Sequence, residues 1–141
     1  MTYLLDTDVL TLVHLGRHGL RERIEVARQQ HEVVISIVSR IEVLRGRFDA
    51  VVKAADGAAL LRAQEWLRGS ETFLADFHIL PLDAAAANEF DRLREDKRVK
   101  KTGRNDLLIA CIALATGATL VTRNIKDYAS VPGLKLENWA D

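Results

Sequence analysis

Tyr3-Leu4-Leu5-Asp6-Thr7-Asp8 sets an apolar triplet against two acids within six residues. A triplet that short and apolar reads as a buried strand, and the abrupt switch to acids marks its end. Thr7 or Asp8 can then cap a helix through Leu15 that stops near Gly16. Working outward, residues 20–29 read as a second helix and Val33-Val34-Ile35, β-branched and short, as a second buried strand. Ser36 and Ser39 offer caps for a helix carrying Ile37, Ile41 and Leu44 at helical spacing, with Gly46 as its end. Residues 49–75, rich in Ala, Leu, Arg and Glu, predict one or two helices broken near Gly57 or Gly69. Residues 77–80 form a third strand closed by Pro81, and Asp83 caps a helix reaching about Lys97. A basic loop, 100–104, precedes a helix over 105–116 ended by Gly117. A fourth strand at 118–121 and a fifth at 134–136 complete the chain. Strands alternating with helices predict an α/β fold around a mainly parallel sheet of four to five strands. Strands apolar on both faces need helices on both sides of that sheet.

Composition narrows the function. The 141 residues fit one domain spanning 1–141, with 48% hydrophobic residues for a core and 28% charged residues for a wetted surface. Twenty Lys and Arg balance twenty Asp and Glu, so no bulk basic charge advertises nucleic acid. Contact with one must come through local patches or bound metal. Cys111 is the single cysteine, so no intrachain disulfide forms, which fits a reducing compartment. Asp6 and Asp8 interrupt the first hydrophobic stretch and argue against a signal peptide. The longest apolar run, 107–115, falls short of the roughly 18 residues a membrane span needs. The expectation is a cytoplasmic protein without membrane contact.

In a parallel sheet, ligands gather outside the carboxyl ends of the strands. Asp6 ends the first strand, Glu42 lies about a turn into the helix after the second, and Asp106 opens the helix before the fourth. Each has an ordinary alternative: a strand-end cap for Asp6, a helix-start residue for Asp106, a solvated helical residue for Glu42. Brought together, three carboxylates repel, and a hard divalent cation such as Mg²⁺ or Mn²⁺ relieves the repulsion. Such a site suits phosphodiester cleavage by metal-activated water.

These residues, with their neighbours, resemble the PIN domains, and particularly the VapC-type toxins of bacterial toxin–antitoxin pairs. The resemblance rests on Leu4-Leu5-Asp6-Thr7-Asp8, Ser39-Arg40-Ile41-Glu42-Val43, Gly103-Arg104-Asn105-Asp106-Leu107-Leu108-Ile109-Ala110, Val121-Thr122-Arg123-Asn124-Ile125-Lys126-Asp127-Tyr128 and Val131-Pro132-Gly133-Leu134, in that order along nearly the whole chain. It implies a PIN-like three-layer α/β/α sandwich and a Mg²⁺- or Mn²⁺-dependent endoribonuclease with metal ligands at Asp6, Glu42 and Asp106. Thr7 or Asp8 would help position the first carboxylate, and Thr122 would sit at the pocket rim. It further implies a VapB-like antitoxin partner and, as in many such toxins, a homodimer. One departure stands out: Asn124 occupies the place of a fourth acid, with Asp127 three residues on as a substitute through water.

Arg40, Lys100, Lys101 and Arg104 are candidates for gripping RNA phosphates; their alternative is a solvated surface balanced by Glu95 and Asp96. His14 and His18, separated by Gly16, make a poor zinc pair, while Cys111, Trp66 and Trp139 read as packing residues. Two rival functions remain. A phosphatase of the haloacid dehalogenase type would use Asp6 as a covalent nucleophile. A non-catalytic RNA- or protein-binding domain would keep only the fold.

Overall fold

The computed structural model describes residues 1–141. Its elements run β1 (Thr2–Leu5), α1 (Thr7–His14), α2 (Leu20–Arg28), β2 (Glu32–Ser36), α3 (Ile37–Val52), α4 (Gly57–Leu74), β3 (His78–Leu80), α5 (Ala84–Leu93), α6 (Arg104–Thr116), β4 (Thr119–Val121), α7 (Ile125–Tyr128) and β5 (Lys135–Glu137). A 3₁₀ turn, Lys97–Val99, lies between α5 and α6. The five strands form one sheet in the order β3-β2-β1-β4-β5, and every pairing is parallel.

Register explains the layers. Leu4 pairs with Val34 and Leu120, and these three face one side of the sheet. There they pack with Ala86 and Leu93 of α5 and the apolar run Leu107–Ala113 of α6. One residue on, Leu5 pairs with Ile35 and Val121 and faces the other side. There Val9, Leu10, Leu20, Ile24, Leu44 and Leu74 bring in α1 to α4. The period of two in the strands thus builds a three-layer α/β/α sandwich. Cys111 is fully buried in the first layer, where burial pushes its thiol up to about 11 and leaves it inert.

Several element boundaries differ from the sequence reading, each for a local reason. The cap of α1 is Asp6, whose carboxylate accepts from the Val9 amide, rather than Thr7 or Asp8. Gly46 does not end α3. The helix continues because Arg47 is held from both sides, its Nε donating to Ser70 Oγ at 3.0 Å and its guanidinium lying 3.6 Å from the Trp66 ring of α4. The break before α4 falls at residues 53–56, where Asp56 caps the new helix; Gly57 is its first residue and Gly69 sits in its interior. Asp83 caps α5 as read, but α5 stops at Leu93 because Asp96 captures the Arg98 amide and starts the 3₁₀ turn. The short α7 was not anticipated.

Gly46 and Gly117 should respond to alanine with opposite signs. A Cβ at Gly46 meets nothing within 4 Å on a helical backbone, whereas Gly117 closes α6 at φ +70°. Gly46→Ala is expected to stabilise by roughly 0.5–1 kcal/mol and Gly117→Ala to destabilise by about 1 kcal/mol or more. Urea denaturation of the two variants checks both signs.

Candidate active site

The site grows from the carboxyl ends of the central strands β1 and β4. The Asp6 amide donates to Val121 O at 3.0 Å, so the residue after β1 is tied to the end of β4. Asp6 is 3% exposed. One carboxylate oxygen accepts the Val9 amide at 2.9 Å and the other accepts the Thr122 hydroxyl at 2.6 Å. Thr122, fully buried, has its Oγ1 fixed in turn by the Asn124 amide at 3.0 Å. The Asn124 side chain then donates to Asp8 at 3.0 Å. One turn after β4 therefore orients two acids at the start of α1.

A second set of hydroxyls orients Glu42. Thr7 Oγ1 donates to Glu42 Oε1 at 2.7 Å and lies 2.9 Å from Ser39 Oγ. Each hydroxyl has one proton. Since Thr7 spends its own on the carboxylate, Ser39 donates to Thr7, and Ser36 to Ser39 at 3.4 Å. The relay runs Ser36, Ser39, Thr7, Glu42, and it links the end of β2 to the start of α1. Asp106, in the first turn of α6, accepts the Tyr128 hydroxyl at 3.0 Å.

Charge shows that these acids share one space. Burial raises Asp6 from an ordinary 3.8 to about 6, opposed by the Thr122 and Val9 hydrogen bonds and reinforced by the charges of Asp8 and Asp106. Burial also raises Asp106, against the Tyr128 bond and with the charges of Asp127, Glu42 and Asp8. The Tyr128 hydroxyl is pushed far above its usual range by burial and by Asp6, Asp106 and Asp8, so it remains a donor. Asp6 and Asp106 thus feel the negative charge of Asp8 in common, and Asp106 also that of Glu42 and Asp127. Every donor in the set is a hard oxygen, which suits a divalent cation. No group of three or more such side chains is closed around a common point. Four carboxylates are instead turned onto their own protein donors: Thr122 and Val9 for Asp6, Thr7 for Glu42, Tyr128 for Asp106 and Asn124 for Asp8.

All eight acidic, hydroxyl and amide positions singled out from sequence are therefore in this neighbourhood, with two roles exchanged. Thr7 restrains Glu42, not Asp6, and Thr122 is a buried restraint on Asp6 rather than a rim contact. Tyr128, Ser39 and Ser36 were missed as site residues. Tyr128 carried a usable signal, since a buried tyrosine hydroxyl must find a partner. The basic candidates stand apart. Arg40 is exposed and, two residues from Glu42, does not share its helix face. Lys100, Lys101 and Arg104 are exposed on the approach to Asp106, with the Arg104 guanidinium 4.8 Å from the Phe90 ring, while Arg98 is paired with Asp96.

The fold and its acid pocket define a class that comparison bears out: the chain belongs to the PIN-domain family, which matches residues 3–134. Within that family it is similar to the VapC ribonucleases. It is 30% identical to ribonuclease VapC2 of Rickettsia felis over 99% of this chain and 98% of that one. It is 25% identical to the tRNA(fMet)-specific endonuclease VapC of Shigella flexneri over 99% of each. Among solved structures, the VapBC2 complex of Rickettsia felis bound to a promoter DNA fragment contains a chain of TM-score 0.80 at 29% identity, covering 99% of both. VapBC-1 of nontypeable Haemophilus influenzae shares the fold at TM-score 0.80 and 23% identity over the full length of both chains. The phosphatase reading of Asp6 falls here, because the chain's fold and relatives are those of PIN nucleases. Such nucleases generally depend on a divalent cation.

The Asp6 shift has a sign that can be measured. A carboxyl held near 6 in the fold and 3.8 unfolded contributes stability below about pH 3.8 that is lost as pH rises through about 6. The loss is about 3 kcal/mol at most. In EDTA, the melting temperature is expected to fall between pH 4.5 and 7 more steeply for the wild type than for Asp6→Asn. Parallel pH profiles for the two proteins would contradict the buried-charge account.

Proposed function

We propose that residues 1–141 form one PIN domain acting as the toxin of a toxin–antitoxin pair, an endoribonuclease that cuts RNA phosphodiester bonds with Mg²⁺ or Mn²⁺. The observation that carries the reading is that hydrogen bonds from Thr122, Asn124 and Thr7 hold Asp6, Asp8 and Glu42 at the carboxyl ends of β1, β2 and β4, with Asp106, held by Tyr128, near enough for its charge to act on Asp6. Asp6, Glu42 and Asp106 would hold the cation, with Asp8, Asn124 and Asp127 around them. When bound, the cation orients and activates water and offsets charge on the phosphate.

The chain's own residues do the rest. Thr122 and the Val9 amide fix both oxygens of Asp6 and so set the direction of its carboxylate. Thr7 and Tyr128 each occupy one oxygen of Glu42 and Asp106 and leave the second free. Lys100, Lys101 and Arg104, exposed and two to six residues before Asp106, would receive the RNA backbone. The tRNA specificity in the name of the Shigella flexneri relative supports RNA as substrate class. Complexes of neighbouring folds with antitoxins support a VapB-like partner. Phe48, Val52, Leu60 and Leu61, exposed along α3 and α4, offer apolar surface for that partner or for a homodimer. RNA as substrate and a single free, buried cysteine support a cytoplasmic protein.

Cleavage of total RNA with Mg²⁺ and with EDTA tests the enzyme. Asp6→Asn and Asp106→Asn are each expected to lower the Mg²⁺-dependent rate about a thousandfold, near 4 kcal/mol, with unchanged circular dichroism. Cleavage that survives EDTA or either substitution refutes the site. RNA binding without any cleavage would instead support the non-catalytic alternative.

Expression of the wild type is expected to arrest bacterial growth, Asp6→Asn to be harmless, and co-expression of the cognate partner to restore growth. Arrest by Asp6→Asn equal to wild type would separate toxicity from nuclease activity.

A further inference from the structure

We infer that residues 137–141 are a positioning element for the acid pocket, with Trp139 as its anchor. The inference rests on the proposed reading of Asp6 and Asp8 as part of a cation site.

The turn Thr122-Arg123-Asn124 orients both acids, Thr122 through Asp6 and Asn124 through Asp8. It leaves the three-residue strand β4, and Asn124 makes no side-chain cap for α7. Its restraints come instead from the last residue of β5 and the segment that follows it. The Thr122 amide donates to Glu137 O at 2.9 Å, and Arg123 Nε lies 3.5 Å from Asp141 Oδ1. β5 is an edge strand of three residues, paired only with β4, so by itself it is a weak support.

Trp139 supplies the missing strength. It is 6% exposed, its ring 5.0 Å from that of Tyr3 on β1, with the Arg23 guanidinium 5.0 Å from its face. Its Nε1 donates to Glu137 Oε1 at 3.0 Å, the same residue whose carbonyl holds Thr122. Asn138 closes the remainder, accepting the Ala140 amide at 2.9 Å and donating to Asp141 at 2.8 Å. A continuous chain of contacts therefore runs from Trp139 through Glu137 to Thr122 and Asp6. Trp139 acts through Thr122 and touches neither acid.

The test compares Trp139→Ala, Trp139→Phe and Ile24→Ala, the last a truncation in the same core layer outside this chain of contacts. Mn²⁺ affinity is read by calorimetry well below each melting temperature. Exchange of the Thr122 and Asn124 amides is read in EDTA. Trp139→Ala is expected to weaken Mn²⁺ binding about tenfold and to speed exchange of both amides. Trp139→Phe keeps one aromatic ring in the core but loses the N–H and the fused five-membered ring, so a two- to threefold loss is expected. Ile24→Ala should lower the melting temperature yet bind Mn²⁺ as the wild type does. Should Trp139→Ala not fold, the Phe variant decides, and wild-type affinity there overturns the inference. Equal affinity and exchange in wild type and Trp139→Ala also overturn it while leaving the cation site intact. A wild type that does not bind Mn²⁺ overturns the site reading and this inference together.

Discussion

The hydrogen bond from Thr122 to Asp6 joins residues 116 apart in sequence, and the geometry of the acidic site depends on it. An aspartate this deeply buried is uncomfortable as an anion. Two donors make its charged form tolerable, one from the helix that Asp6 itself caps and one from the turn after the neighbouring strand β4. The same carboxylate is thus a helix cap, a link between β1 and β4, and the innermost member of an acidic pocket. Removing its restraints would free the side chain to turn or to take up a proton, and either would change the site.

The remaining acids repeat this logic at lower burial. Asp8, Glu42 and Asp106 lie within the first two turns of their helices, and each is tethered by a neutral donor, Asn124, Thr7 and Tyr128 in turn. Neutral donors fix direction without cancelling charge. An Arg or Lys in their place would satisfy the carboxylates and remove the pocket's appetite for a cation. Arg123, in the turn between Thr122 and Asn124, is paired with Asp141, and Lys100, Lys101 and Arg104 are exposed to solvent.

The sheet supplies the convergence. Its parallel order places β1 at the centre, flanked by β2 and β4, so the carboxyl ends of all three open on one edge. α1, α3 and α7 follow directly from those three ends, and α6 leads into β4 with Asp106 at its far end. Short strands suffice because both faces are sealed by apolar layers. The two-residue alternation of Leu4 and Leu5 divides those layers.

Much of this was legible in the amino acids themselves. Apolar triplets, caps at Ser36 and Asp83, and Gly117 after α6 are local signals, because a strand's burial or a helix's end is decided within a few residues. The ordered motifs around Asp6, Glu42 and Asp106 carried the family and the acidic site for the same reason. Tertiary structure decided what local signals could not. Gly46 stays helical because Arg47 is gripped by another helix. Thr7 serves Glu42 and Thr122 serves Asp6 because hydroxyl protons follow distance, not adjacency in sequence. Tyr128 and Trp139 gain their roles only where remote segments meet them. Sequence fixes which groups are available within a turn of one another; only packing decides which of them share a proton or a charge across the fold.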